Sequence, residues 1–331
     1  VGSSAGALIG LYYASGIRPI DIINANLNPK KSKLPPITYK DMLHFKMPHK
    51  RPPRPSTHDP FEGFPSILRR FLTPINGISG LFTTEGLSRY IRDNVAISES
   101  FEDYVADLFV VATQLDHSRK VVFSKYNYPQ PIDDPTTSYY TGIPVSESIA
   151  ASMSVPPFYS PYPVRNPQTN QTDYYIDGEI RDTLSTHVAI DNRSDIVISS
   201  WTHTPYHYHD EIGSLINYGL PAICTQAIYL MIQKKIVSSR KQRLQSADIL
   251  STVSEFMKRE RFTSEQSRQL LSVLERKLNY KPNVTLIDIY PEHDDYKAFF
   301  HNSFSLNPNK MSEVVSRGYR RTMEVFKRGE W

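Results

Sequence analysis

The chain has 331 residues, enough for one large domain or two modest ones with a substantial core. Its 38 Lys and Arg against 34 Asp and Glu leave a net charge of +4, which excludes a dedicated nucleic-acid binder but suits an anionic membrane surface. A single cysteine, Cys224, excludes an intrachain disulfide, and its apolar helical setting predicts an inert buried thiol.

The sequence opens on Gly2-Ser3-Ser4-Ala5-Gly6, which fits the G-x-S-x-G nucleophile elbow. There a strand turns sharply into a helix and a strained serine is exposed, so the residues two before and two after it must be small. Leu8, Leu11, Tyr12 and Ser15 recur at helical spacing, and Gly16 stops the helix before Pro19. Ser4 is thus expected at the positive end of a helix, with the Ala5 N–H facing a developing oxyanion. An elbow needs a strand in front of it, so the chain reads as N-terminally incomplete.

A second helix is expected over 19–27. The stretch 29–60 is rich in proline and holds eight basic against two acidic residues, a local net of +6. It reads as a solvated loop or as a basic flap that meets anionic headgroups. Helices are expected over 64–72 and 84–95, the latter capped by Thr83 or Thr84. Strands are expected over 105–113 and 119–124, then a helix over 145–153 opened by Pro144 and stopped by Pro156-Pro157. A strand over 172–176 ends on Asp177-Gly178, and Ile196-Val197-Ile198 reads as another buried strand. Long helical stretches over 211–243 and 254–278 make 206–279 a mainly helical insertion. A strand over 285–290 and a helix over 310–326 close the chain. Short apolar strands alternating with helices define an α/β layered fold. The longest apolar run, 218–232, is interrupted by Pro221 and Gln226 and is expected to fall short of a transmembrane segment. No repeat, metal-ligand spacing or phosphate-binding glycine loop is present.

Asp177 is the candidate partner for Ser4. It ends an apolar strand just before a glycine, where active-site residues of open α/β sheets collect. A carboxylate within reach of the serine hydroxyl accepts its proton and returns it to the leaving group. His187, His203, His207, His209, His293 and His301 follow Asp177, so the order Ser…Asp…His of a Ser-His-Asp esterase is also available.

Three segments together resemble the patatin-like phospholipase family of lipid acyl hydrolases. The run from Gly2 to Ile9 resembles its nucleophile elbow. The run from Ile149 to Pro161 is similar to its Ala-Ser-x-x-x-Pro-x-x-Phe-x-Pro segment, and Tyr175-Ile176-Asp177-Gly178 resembles the strand that presents its aspartate. The resemblance implies a single domain over 1–331 with a three-layer α/β/α sandwich. It also implies a Ser–Asp dyad, with Ser4 as nucleophile and Asp177 as general base. Gly2, Gly6 and Gly178 support the motifs, and neither a metal nor a cofactor is called for. The implied substrate is an acyl ester of a phospholipid or neutral lipid, met at a peripheral membrane surface, with any activating protein unidentified. The family's oxyanion donors come mostly from a glycine-rich loop upstream of the elbow, before Val1. Glu179 departs from the family's small residue after Asp-Gly, and could tune Asp177 or face solvent. Phe61, Phe64, Phe71, Leu81, Phe82, Phe158 and Tyr159 are candidates for an acyl trough. The competing reading from another class is a catalytically silent scaffold that binds lipid or protein through 29–60 and 234–243.

Overall fold

A computed structural model describes residues 1–45, 79–130, 134–292, 295–300 and 305–329. The helix expected over 64–72, the basic stretch beyond residue 45, Phe61, Phe64, Phe71, His293 and His301 lie outside the described residues. The chain divides into two units, Val1–Asp182 and Thr183–Trp331.

The first unit opens with a two-residue strand, β1 (Gly2–Ser3), that runs straight into α1 (Ala5–Ala14). Ala7, Leu8, Leu11 and Tyr12 bury the face set by their spacing, and Gly16 turns the chain with φ +70°. Next come α2 (Pro19–Leu27), α3 (Tyr39–Met42) and a ribbon of β2 (His44–Phe45) with β3 (Phe82–Thr83). Helix α4 (Glu85–Asn94) starts after Thr84, whose hydroxyl does not cap it. That hydroxyl is drawn into the core, where it donates to the Ala150 carbonyl at 2.9 Å. Strands β4 (Val110–Gln114), β5 (Arg119–Phe123) and β6 (Thr137–Tyr140) precede α5 (Val145–Ser152), β7 (Tyr162–Arg165) and β8 (Thr172–Asp177).

These strands form a mixed six-stranded sheet in the order β6-β5-β4-β8-β7, with β1 also paired to β4. Every residue of β4 is buried, as its apolar run implies for a central strand. The strand begins at Val110 instead of residue 105, and Val105 is fully exposed. Strands β6 and β7 were not expected from the sequence. At the two edges of the sheet, β6 alternates buried with half-buried positions and β7 buried with exposed ones. Pro163 inside β7 is tolerated there, since an edge strand has a face without ladder partners.

The arrangement at β4 positions everything that follows. β5 pairs with β4 along its whole length, so β1 and β8 share the opposite edge. β1 runs parallel to β4 with Ser3 beside Val111, and β8 runs antiparallel with Asp177 beside Ala112. The two strand ends therefore meet head-on at adjacent residues of β4. Gly178 makes this possible. A Cβ at that position would lie 2.2 Å from the Val111 carbonyl oxygen and 3.0 Å from the Ser3 Cβ.

The second unit holds α6 (Thr186–Asp191) and a parallel pair formed by β9 (Ile196–Ser200) and β10 (Thr285–Ile289). β9 is not buried on both faces as expected. Ile196 and Ile198 are 63% and 56% exposed, while Val197 and Ser199 are buried, the alternation of a ribbon covered on one side. Between the two strands lie α7 (Gly219–Arg259), entered through a 3-10 turn at Leu215–Tyr218, and α8 (Ser264–Lys277). The interruption expected over 244–253 is absent, because that segment holds neither glycine nor proline. The break falls where Arg261 adopts φ +57° and Thr263 with Gln266 forms a capping box. Short α9 (Tyr296–Phe299) and α10 (Pro308–Arg328) follow. The stretch Leu215–Arg259 is long and apolar enough to cross a membrane by length and composition, contrary to the expectation for the run 218–232. Pro221 sits in the first turn, where its missing N–H costs nothing, and Gln226 is satisfied by hydrogen bonds, so neither residue breaks the helix.

Replacing Gly178 by alanine is expected to cost about 2 kcal/mol or more, because the clash is with backbone and not with a movable side chain. Urea denaturation of the Gly178→Ala variant measures this directly. An unchanged midpoint would mean that the strand ends do not approach so closely.

Candidate active site

Ser4 lies between β1 and α1 with φ 53° and ψ −132°, a backbone conformation that side-chain-bearing residues rarely adopt. It is half-buried, and its N–H donates to the Ser152 hydroxyl at 2.8 Å. Ser152 in turn donates to the Val111 carbonyl at 2.6 Å. The last residue of α5 thus ties the elbow to the central strand. Ser152 lies within the run that resembles the family, yet nothing in the sequence assigned it a part. A serine following the apolar run Ile149-Ala150-Ala151 at the helix end was the available signal.

Asp177 is 3% exposed. The nearby Ser4 side chain favours the charged form of its carboxylate, and Oδ1 accepts the Glu179 N–H at 2.9 Å. Its own N–H donates to Ser154 O at 3.0 Å, and its carbonyl accepts from the Thr113 hydroxyl at 3.0 Å. Burial penalises the charged form and pushes its pKa up to about 6, against the opposing effect of Ser4 and the Glu179 N–H.

Ala5 occupies the first turn of α1, where an N–H has no carbonyl in its own helix to bond. The two elbow glycines differ. A Cβ on Gly2 would lie 2.4 Å from the Gly6 carbonyl oxygen, whereas a Cβ on Gly6 would meet nothing within 4 Å. The steric demand expected on both sides of Ser4 therefore falls on Gly2 alone.

Glu179 bears on Asp177 through its backbone N–H, and its side chain accepts a hydrogen bond from the Ser3 hydroxyl. This contact joins the end of β1 to the 3-10 turn at Gly178–Ile180. Of the apolar candidates, Leu81 and Phe82 both donate main-chain hydrogen bonds to Phe158 O at 3.0 Å, and Tyr159 donates to Met42 O at 3.0 Å. Leu81 and Phe158 are exposed.

His187, His203, His207 and His209 belong to the second unit. The ring of His203 rests against Tyr229 with centroids 5.0 Å apart, and burial lowers its pKa. His209 lies against Tyr296 and accepts the Glu211 N–H at 3.3 Å. Among the described residues, no three His, Cys, Asp or Glu side chains gather as a metal-ligand set.

The fold is an α/β architecture in which a mixed sheet carries a serine at a strand-to-helix elbow beside a buried carboxylate. A family model described as patatin-like phospholipase matches residues 1–190, more than half of the chain. The chain belongs to that family, which supports a lipid acyl hydrolase acting on lipid substrates. No curated protein matches the chain.

Two outcomes follow from this geometry. Gly6→Ala is expected to leave the fold intact and to raise stability by roughly 0.5–1 kcal/mol, the ordinary gain from removing a helical glycine. A loss of stability in thermal unfolding would contradict the open space at that position. Because folding raises the pKa of Asp177, the folded chain holds that proton more tightly than the unfolded chain. Stability is therefore fully present below pH 4 and declines as pH rises through about 6, by on the order of 3 kcal/mol. The contribution is read as the difference between the unfolding free energies of wild type and Asp177→Asn across that window. A constant difference would mean that Asp177 titrates normally.

Proposed function

We propose that the chain is a serine lipid acyl hydrolase in which Ser4 is the nucleophile and Asp177 the general base. The observation that carries this reading is the pairing register that brings the strained Ser4 and the buried Asp177 carboxylate to adjacent positions on β4. A pKa near 6 leaves Asp177 ionised at neutral pH yet basic enough to take a proton. The Ser4 hydroxyl oxygen attacks the ester carbonyl while its proton passes to Asp177. The negative charge on the carbonyl oxygen meets the Ala5 N–H at the positive end of α1, joined by donors expected from a glycine-rich loop. Collapse breaks the ester bond, and the departing alcohol takes the proton from Asp177, leaving an acyl group on Ser4. Water then attacks the acyl-serine, Asp177 takes the water's proton, and fatty acid leaves as Ser4 recovers it. The substrates this suits are phospholipids or neutral lipids at a membrane surface, and no step calls for a metal.

The proximity of serine and carboxylate, with Ser4 influencing the Asp177 charge, favours a dyad over a Ser-His-Asp triad, since a triad interposes an imidazole. Fatty-acid release from phospholipid vesicles and from a short acyl ester, measured on the full natural chain, tests the reading. Ser4→Ala is expected to reduce release to background and Asp177→Asn to cost about 100- to 10,000-fold. Alanine at His187, His203, His207 or His209 is expected to change kcat/KM by no more than a few-fold. If Asp177→Asn stays active while Ser4→Ala does not, the base is another group. A wild-type chain that binds vesicles but releases nothing is a lipid-binding scaffold.

The same mechanism sets the pH profile. Rate should fall below about pH 6 as Asp177 becomes protonated, with no loss between pH 6 and 8. A bell with a second limb near neutrality would point to an imidazole.

A further inference from the structure

Helix α7 wears its polarity inside out. Ala222, Thr225, Gln226, Tyr229, Gln233 and Ile236 recur at helical spacing and turn toward the rest of the second unit. Gln226 is bonded twice to the main chain of Tyr206, accepting its N–H at 2.8 Å and donating to its carbonyl at 2.9 Å. The Tyr229 ring meets Phe299 edge-on at 5.7 Å, and further along Arg240 binds Asp288. The opposite face presents Leu220, Ile223, Ile228, Leu230 and Met231, all exposed, with Leu220 at 71% and Met231 at 58%. None of the apolar window that makes this stretch long enough to span a membrane is buried. An amphipathic helix that spends its polar side on the protein leaves its apolar side for another phase.

Charge names that phase. Between Glu211 and Asp248 the sequence holds no acidic residue and five basic ones, Lys234, Lys235, Arg240, Lys241 and Arg243. Directly after Met231, Lys234 and Lys241 continue the outward face, both exposed. A band of aliphatic side chains bordered by lysines matches the boundary between acyl chains and anionic headgroups.

We propose that the outward face of the first half of α7 docks on an anionic phospholipid bilayer, lying in its interface with Lys234 and Lys241 at headgroup level. The helix does not cross the bilayer. Although its length and composition would allow a span, the Gln226 and Tyr229 contacts hold the other face on the protein. The proposal rests on the lipid acyl hydrolase reading for its purpose, naming the surface on which the substrate is met. Vesicle binding is read without turnover, so a failed hydrolase reading and a failed docking surface give different results.

Cys224 lies on the same exposed face and is the sequence's one cysteine, so a fluorescent label there reports insertion without altering the aliphatic residues. The labelled chain is mixed with phosphatidylcholine vesicles, with and without phosphatidylserine. The label is expected to shift to the blue with the anionic vesicles, less so as salt rises. In flotation, Ile228→Asp with Met231→Asp is expected to weaken partitioning at least tenfold. Lys234→Glu with Lys241→Glu should remove the preference for phosphatidylserine. All four positions are on the exposed face, and an unchanged melting temperature shows that the variants fold. Alkaline carbonate should release the bound chain. The proposal is overturned if the label does not respond to vesicles, or if the aspartate pair floats as well as wild type. It is equally overturned if carbonate fails to release the chain, which means a spanning helix. Self-association that the aspartate pair abolishes, with no flotation, assigns the face to a second copy of the chain.

Discussion

The constraint on which the first unit depends is that one edge of β4 serves two strands at once. β5 occupies one side from Val110 to Gln114, so β1 and β8 must divide the other. Running in opposite directions, they end at adjacent positions, and whatever follows each strand is forced into the same small volume. Ser4 follows β1 and Asp177 ends β8. Their meeting is a consequence of pairing register, which tolerates no slip, since moving either strand by one residue would turn its side chains to the opposite face. Gly178 is the permissive residue, for any side chain there would strike the Val111 carbonyl.

Two costs are concentrated at this junction. Ser4 holds a backbone conformation worth roughly 1–3 kcal/mol of strain, and Asp177 sits in a site that disfavours its charge. Both are sustained by rigid surroundings: Ser152 bridges Ser4 to β4, Ser154 and Thr113 hold the Asp177 main chain, and Ser3 reaches Glu179. Under the proposed mechanism, a strained serine beside a destabilised carboxylate suits proton transfer, because the energy stored in the resting state need not be supplied during reaction.

The second unit is organised by a different imbalance. In the first half of α7, Gln226 is held inward by Tyr206, while Leu220, Ile223, Ile228, Leu230 and Met231 remain outward. Cys224, expected to be buried, is exposed for this reason. Composition and period allow either face of such a helix to be the inner one. The deciding factor is which side chains find partners, and Gln226 finds two.

The sequence alone was sufficient for what depends on neighbours along the chain. Residues 19–27 are helical as their pattern indicates, and the segments 119–124, 145–153, 172–176 and 310–326 carry the elements expected, displaced by no more than two residues at an end. The serine elbow and the Asp-Gly strand end were legible because each is a local arrangement with its own steric signature. Family membership was legible for the same reason. Strands β6 and β7 were not, since Thr137–Tyr140 and Tyr162–Arg165 are short, mixed in polarity and stabilised by the partners they pair with. Nor could the sequence say that only one elbow glycine is sterically required, that Ser152 holds the Ser4 N–H, or that α7 faces outward with its apolar side. Each of these depends on which atoms approach from distant parts of the chain. Periodicity determines that a face exists, and only pairing and packing decide what it meets.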